Sequence, residues 1–161
     1  FLSERKLPMK VRTMQADPSG NVTLYVLDPV PQKDRKELNR QLLTLHPSVE
    51  QAGCLSIKEG QPQVEMMGGE FCGNATRSAG ACALYFNGEK EGEFQVTCSG
   101  CPVPLPVRAK KVRENLYEAS VQLPPPLSMK KSACPTNGKA WNVRKWCFPE
   151  SPTMCIYPEC G

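Results

Sequence analysis

The chain has 161 residues, 40% of them hydrophobic and 22% charged, with a net charge of +4. That length suits about one domain with a sizeable core, and the hydrophobic fraction excludes a wholly disordered chain. The basic and acidic residues are interspersed, with no Lys/Arg stripe interleaved with aromatics, so a nucleic-acid partner is not expected. No apolar run approaches the ~18 residues of a membrane span, and residues 1–9 do not read as a signal peptide, so no membrane partner is expected and the expected compartment is cytoplasmic. The nine cysteines are an odd number for a disulfide framework, and in a reducing compartment most are expected to be free thiols.

Residues 1–8 lack any periodic pattern and precede Met9, and they read as an extension outside the fold. Val11–Met14 and Val22–Leu27 read as paired strands, joined by the turn chemistry of Asp17-Pro18-Ser19-Gly20-Asn21. Asp34 opens a predicted helix with Glu37 in capping-box position. Leu38, Leu42 and Leu45 give that helix one apolar core face, and His46-Pro47 stops it. Cys54–Ile57 and Gln63–Met67 are short strand candidates around Gly60 and Pro62. Thr76–Phe86 reads as a second helix, with Ala75, Ala79, Cys82, Ala83 and Phe86 on one stripe and Asn87-Gly88 as a left-handed stop. Phe94–Thr97 and Val103–Arg108 form a hairpin around Ser99-Gly100, and Leu116–Leu123 is a last strand, closed by Pro124-Pro125-Pro126. The order gives an α+β class with a mostly antiparallel sheet around a central helix starting near Asn74. Residues 9–127 are read as that domain. Residues 128–161, rich in Cys and Pro and without a visible period, are read as a tail of uncertain order.

The chemistry concentrates in Met66-Met67-Gly68-Gly69-Glu70-Phe71-Cys72-Gly73-Asn74-Ala75-Thr76-Arg77-Ser78, which joins a strand to a helix. Cys72 stands just before the helix, where unpaired N–H groups and the positive end of the helix dipole favour a thiolate. Gly73 lets a ligand approach the backbone, Asn74 suits an N-cap, and the free N–H groups suit a carboxylate or phosphate. Read as structure alone, Cys72 is one buried thiol among nine and the glycines make a tight turn.

The run from Gly68 to Ser78 resembles the first active-site motif of the diaminopimelate epimerase family of cofactor-independent racemases, usually a cysteine followed by Gly-Asn-Gly and an arginine. Residues 9–28 resemble that family's opening hairpin, with Asn21 matching its substrate-contacting asparagine. The resemblance covers about Met9 to Pro126. It implies a 1,1-proton transfer at the α-carbon of an amino acid without pyridoxal phosphate or another cofactor, by two cysteines on opposite faces. It makes Cys72 one acid/base thiol, with Asn21 and the N–H groups of Gly73 and Asn74 holding the substrate. Ala75 replaces the second glycine and Ser78 a common cysteine, so the motif is more similar to the histidine-racemase-like branch.

The family fold has two similar halves facing a cleft, and only the first fits here. The chain is therefore expected to be a truncated or frame-disrupted racemase, with residues after about Ser128 foreign to the family pattern. No second Cys-Gly helix start is found, and two chains could associate as a homodimer to complete a cleft. The alternatives are a non-catalytic relic that keeps the binding joint, or a Cys-rich metal-binding module using Cys98, Cys101, Cys155 and Cys160. His46 is read as a helix stop, Glu70 as a surface carboxylate that could assist Cys72, and Arg77 as half of a surface ion pair.

Overall fold

The structure is a computed structural model that describes residues 10–123 in full and, beyond them, the backbone of three strands between residues 128 and 156. Seven strands form one curved sheet in chain order: β1 (Thr13–Ala16), β2 (Thr23–Val26), β3 (Gln51–Lys58), β4 (Gln61–Met66), β5 (Glu91–Cys98), β6 (Leu105–Arg113) and β7 (Leu116–Val121). Helix α1 (Gln32–Leu45) connects β2 to β3, and α2 (Gly73–Asn87) connects β4 to β5. Each helix links two parallel neighbours, whereas the other four neighbouring pairs are antiparallel. That division follows from connection length, since short turns reverse direction and a helix permits a crossover. The class is α+β, half of a diaminopimelate-epimerase-like fold, with the sheet curled around α2.

The core forms where the sheet wraps α2. Small residues on the helix (Ala75, Ala79, Gly80, Ala83) let the strands approach, and alternate residues of β5 and β6 (Phe94, Val96, Leu105, Val107) fill the space between. Gly80 is required there, because a Cβ would collide with the Val107 side chain. A second cluster lies on the opposite face of the sheet, where Leu38 and Leu42 of α1 cover Leu24, Val26 and Ala52. Strand β2 is therefore buried on both faces, with Tyr25 turned to α2 and its neighbours to α1. Arg35 of α1 pairs with Glu65 of β4 at 2.6 Å and ties that helix to the sheet.

Several local expectations are corrected. Helix α1 begins at Gln32 rather than Asp34, its N-cap is Pro31 without a side-chain cap, and Glu37 bonds Arg40 and Gln41 instead of closing a capping box. Leu45 is 72% exposed and does not join the core, because the helix end overshoots the sheet before His46 caps it by donating to the Leu42 carbonyl. Phe86 is 47% exposed, and Leu84 takes the buried place at that end of α2. Gly88 supplies the left-handed stop at φ 69. The hairpin turn before β2 is as expected, with Gly20 N–H donating to Asp17 Oδ1 at 2.6 Å.

Residues 1–8 lie outside the described residues. In the segment read as lacking a period, the backbone forms a three-stranded antiparallel sheet of β8 (Ser128–Thr136), β9 (Lys139–Cys147) and β10 (Met154–Ile156). The side chains of Cys134, Cys147, Cys155 and Cys160 lie outside the described residues. No described helix is long and apolar enough to cross a membrane.

Candidate active site at the start of α2

The joint between β4 and α2 is shaped by its backbone. Gly69 adopts φ +77, a region that favours glycine, and its N–H closes a turn onto the Met66 carbonyl at 2.9 Å. The chain then runs extended through Cys72 (φ −134, ψ 111) and enters the helix at Gly73. Cys72 is therefore the N-cap, and its Sγ accepts from the Ala75 N–H at 3.4 Å. This corrects the expectation that Asn74 caps the helix: the cap lies two residues earlier, which leaves the Asn74 side chain free for other partners. Thr76 binds the Cys72 carbonyl through both its N–H, at 2.9 Å, and its hydroxyl, at 2.8 Å. Among the described residues, the N–H groups of Gly73 and Asn74 have no hydrogen-bond partner, as expected of a first helical turn.

The side chains around the thiol come from distant parts of the sequence. Asn21, leaving the β1–β2 turn, donates from Nδ2 to Glu50 Oε2. Its Oδ1 accepts from Asn74 Nδ2 at 3.3 Å and from Gln51 Nε2 at 2.8 Å. Gln51 Nε2 also lies 2.8 Å from Thr23 Oγ1 and 3.1 Å from Cys72 Sγ, so three acceptors compete for two hydrogens. Gln51 Oε1 stands 3.3 Å from the same sulfur, placed to accept from a thiol. The structure thus brings together Asn21, Cys72, Gly73 and Asn74, and adds Gln51, which the sequence reading missed. The signal for it lies in the β2–α1–β3 order: a helix between two strands predicts parallel pairing, and that pairing sets Gln51 opposite Thr23.

The surroundings of the joint are specific. Ser99, in the β5–β6 turn, accepts from the Met66 N–H at 3.0 Å and donates to the Glu70 carbonyl at 2.7 Å. Gly100 (φ +69) packs so closely that a Cβ would lie 2.6 Å from the Phe71 nitrogen. Gly73 differs, since a Cβ there would meet only the Phe71 ring, at 3.9 Å or more. No contact among the described residues requires glycine at that position. The Glu70 side chain folds back against Gly68 and makes no hydrogen bond to the thiol. Among the described residues Arg77 has no ion-pair partner; it donates to the Pro18 carbonyl and to Asn74 Oδ1, both at 3.4 Å, tying the hairpin turn to the helix. Ser78 bonds the Tyr25 hydroxyl at 2.7 Å, and burial pushes the Tyr25 phenol well above its ordinary range.

The five described cysteines are free thiols. Burial pushes Cys82 up to about 12 and Cys98 up to about 11, which keeps both protonated near neutral pH. No group of three or more His, Cys, Asp or Glu among the described residues could hold a metal ion, and half of the zinc set considered above, Cys155 and Cys160, lies outside them. A groove of about 1050 Å³ runs along α2 between β1 and β7, past Met14, Tyr85 and Leu116, but Cys72 does not line it.

A seven-stranded sheet curled around a helix that starts at a Cys-Gly-Asn cap defines a racemase-like half-fold. The chain belongs to the family of the histidine racemase CntK N-terminal domain, whose model matches residues 10–159. That match takes in β8 to β10, the region set apart in the sequence. Two curated relatives are histidine racemases from two strains of Fusobacterium nucleatum subsp. nucleatum, 26% and 28% identical over 123 residues. Those residues make up 73% of this chain and 45% of each relative, so the chain spans about half the length of the curated relatives it matches.

Proposed function

We propose that this domain is one half of a cofactor-independent amino-acid racemase, in which Cys72 is one of two thiols that remove and return the α-proton. The observation that carries this reading is the amide of Gln51 against the Cys72 sulfur. A thiol can donate to Oε1 and a thiolate can accept from Nε2, so the same neighbour suits the sulfur before and after it takes a proton. The Ala75 N–H adds a second donor to the thiolate.

The substrate is an α-amino acid, and the names of the relatives make histidine the first to try. Its carboxylate binds the free N–H groups of Gly73 and Asn74, where the helix dipole also favours negative charge. The open space over Gly73 gives that carboxylate access to the backbone. Asn21 orients the substrate from the side, with its own amide fixed by Glu50, Gln51 and Asn74. Proton removal leaves charge spread from the α-carbon into the carboxylate, which the same N–H donors stabilise. The second acid/base thiol belongs to a facing half, and the reaction takes place in the cytoplasm.

Deuterium incorporation at the α-carbon of histidine, followed by NMR in heavy water, tests this reading. A chain able to exchange the α-proton loses that ability on Cys72→Ala. Exchange that continues unchanged in Cys72→Ala contradicts the role given to the thiol.

A further inference from the structure

The β5–β6 turn carries chemistry that the racemase reading does not use. Cys98 and Cys101 are the first and fourth residues of a β-turn, closed by the Cys101 N–H on the Cys98 carbonyl at 3.4 Å, with Gly100 at φ +69 in its third position. Such residues lie within about 7 Å at Cα, which overlaps the roughly 4.4–6.8 Å that a disulfide spans. Cys98 is buried in the core cluster around α2, and Cys101 packs against that cluster. Cys101 is partly exposed and precedes Pro102, which restricts its backbone to extended conformations.

The turn is also tied to the candidate site. Ser99 bridges Met66 and Glu70, and Gly100 lies against the Phe71 backbone. Phe71 and Cys72 pack against the same core cluster as Cys98 and Cys101. We propose that Cys98 and Cys101 form a reversible disulfide modification site, oxidised by a low-molecular-weight disulfide such as oxidised glutathione, and that closing it disturbs the seat of Cys72.

In the first step, the Cys101 thiol gives up its proton and attacks one glutathione sulfur, so a mixed disulfide forms and one glutathione thiol leaves. In the second, the Cys98 thiol gives up its proton and attacks Cys101 Sγ, which releases the other glutathione. The two protein thiols are oxidised and one glutathione disulfide is reduced to two thiols. Burial of Cys98 makes the second step the slower one. Closing the bond tightens the turn on which residues 66–71 rest.

The inference does not rest on the racemase reading, and its test needs no substrate. The full chain is equilibrated in glutathione buffers of rising oxidised fraction, quenched, and mapped by peptide mass spectrometry. Iodoacetamide labelling of Cys72 is timed in the same samples. The expected result is one Cys98–Cys101 bond, reversed by dithiothreitol, with Cys72 labelling slowed about threefold or more as its surroundings shift. Cys101→Ser and Cys101→Ala should form no bond and show no slowing in the same buffers. Glutathione left on Cys101, pairing of either cysteine with a third, or a closed bond that leaves Cys72 labelling unchanged would overturn the proposal.

Discussion

Cys72 and Cys82 both belong to α2 or its cap, and the structure gives them opposite surroundings. Cys72 caps the helix start half-buried, with a backbone N–H, the Gln51 amide and the nearby Asn21 and Asn74 side chains around it. Cys82 lies within the wrapped core, 3% exposed, and burial pushes its thiol up to about 12. The same side chain is a candidate acid/base group at one place and an inert apolar filler at the other. What separates them is the supply of hydrogen-bond donors at a helix start, which the middle of a helix cannot offer.

The largest expected consequence is in reactivity. Near neutral pH, iodoacetamide should label Cys72 about a thousandfold faster than Cys82 or Cys98, which must await local unfolding. Comparable rates at all three would erase the distinction. Next in size is stability. Gly80→Val should cost about 2–4 kcal/mol, because the added atoms overlap Val107 in the closest packing of α2 on the sheet. Cys72→Ala, at a half-buried position, should cost less than about 1 kcal/mol while removing the proposed chemistry. Urea unfolding of the two variants checks both, and equal losses would contradict the contrast between core and cap.

Gly100→Ala sharpens the comparison from the site's side. It places a methyl 2.6 Å from the Phe71 nitrogen at a left-handed φ, and should cost about 1–3 kcal/mol. It should also change the Cys72 labelling rate, unlike a core variant of equal cost. The pH dependence follows from the buried thiols. Burial raises Cys82 and Cys98 from 9.0 to about 12 and about 11, so the folded chain holds these protons more tightly than the unfolded one. Their contribution is present in full below about pH 9 and is lost as pH rises through 11 to 12. Chemical unfolding in Cys82→Ala, compared with the unsubstituted chain, should show a shallower fall across that window.

Much of the fold was legible because its signals are local. Ser99-Gly100 marked the hairpin of β5 and β6, turn chemistry marked the Asp17–Asn21 connection, and Gly88 marked the end of α2. The candidate residues Asn21, Cys72, Gly73 and Asn74 came from one motif and one turn, and the structure sets them side by side. Gln51 was not, because it gains meaning only when β3 starts three residues before the apolar run at Cys54 and pairs in parallel with β2. Leu45 and Phe86 misled for a related reason. Periodicity gives the face of a helix, whereas burial also depends on where the sheet beneath it ends. The capping role of Cys72 was hidden by propensity, since Asn74 is the better cap by residue type and the extended backbone at Cys72 decides otherwise.

The central claim is that Cys72 lies in a corner built to hold an amino acid. The direct measurement is the rate of iodoacetamide labelling at Cys72 in the presence of rising histidine, with other amino acids beside it. Occupancy of the corner should slow labelling about tenfold once the ligand exceeds its dissociation constant by about that factor, with no change at Cys101. Asn74→Ala should weaken the protection, and Gly73→Val should remove it. A labelling rate at Cys72 that no amino acid alters, at any concentration, would contradict the account.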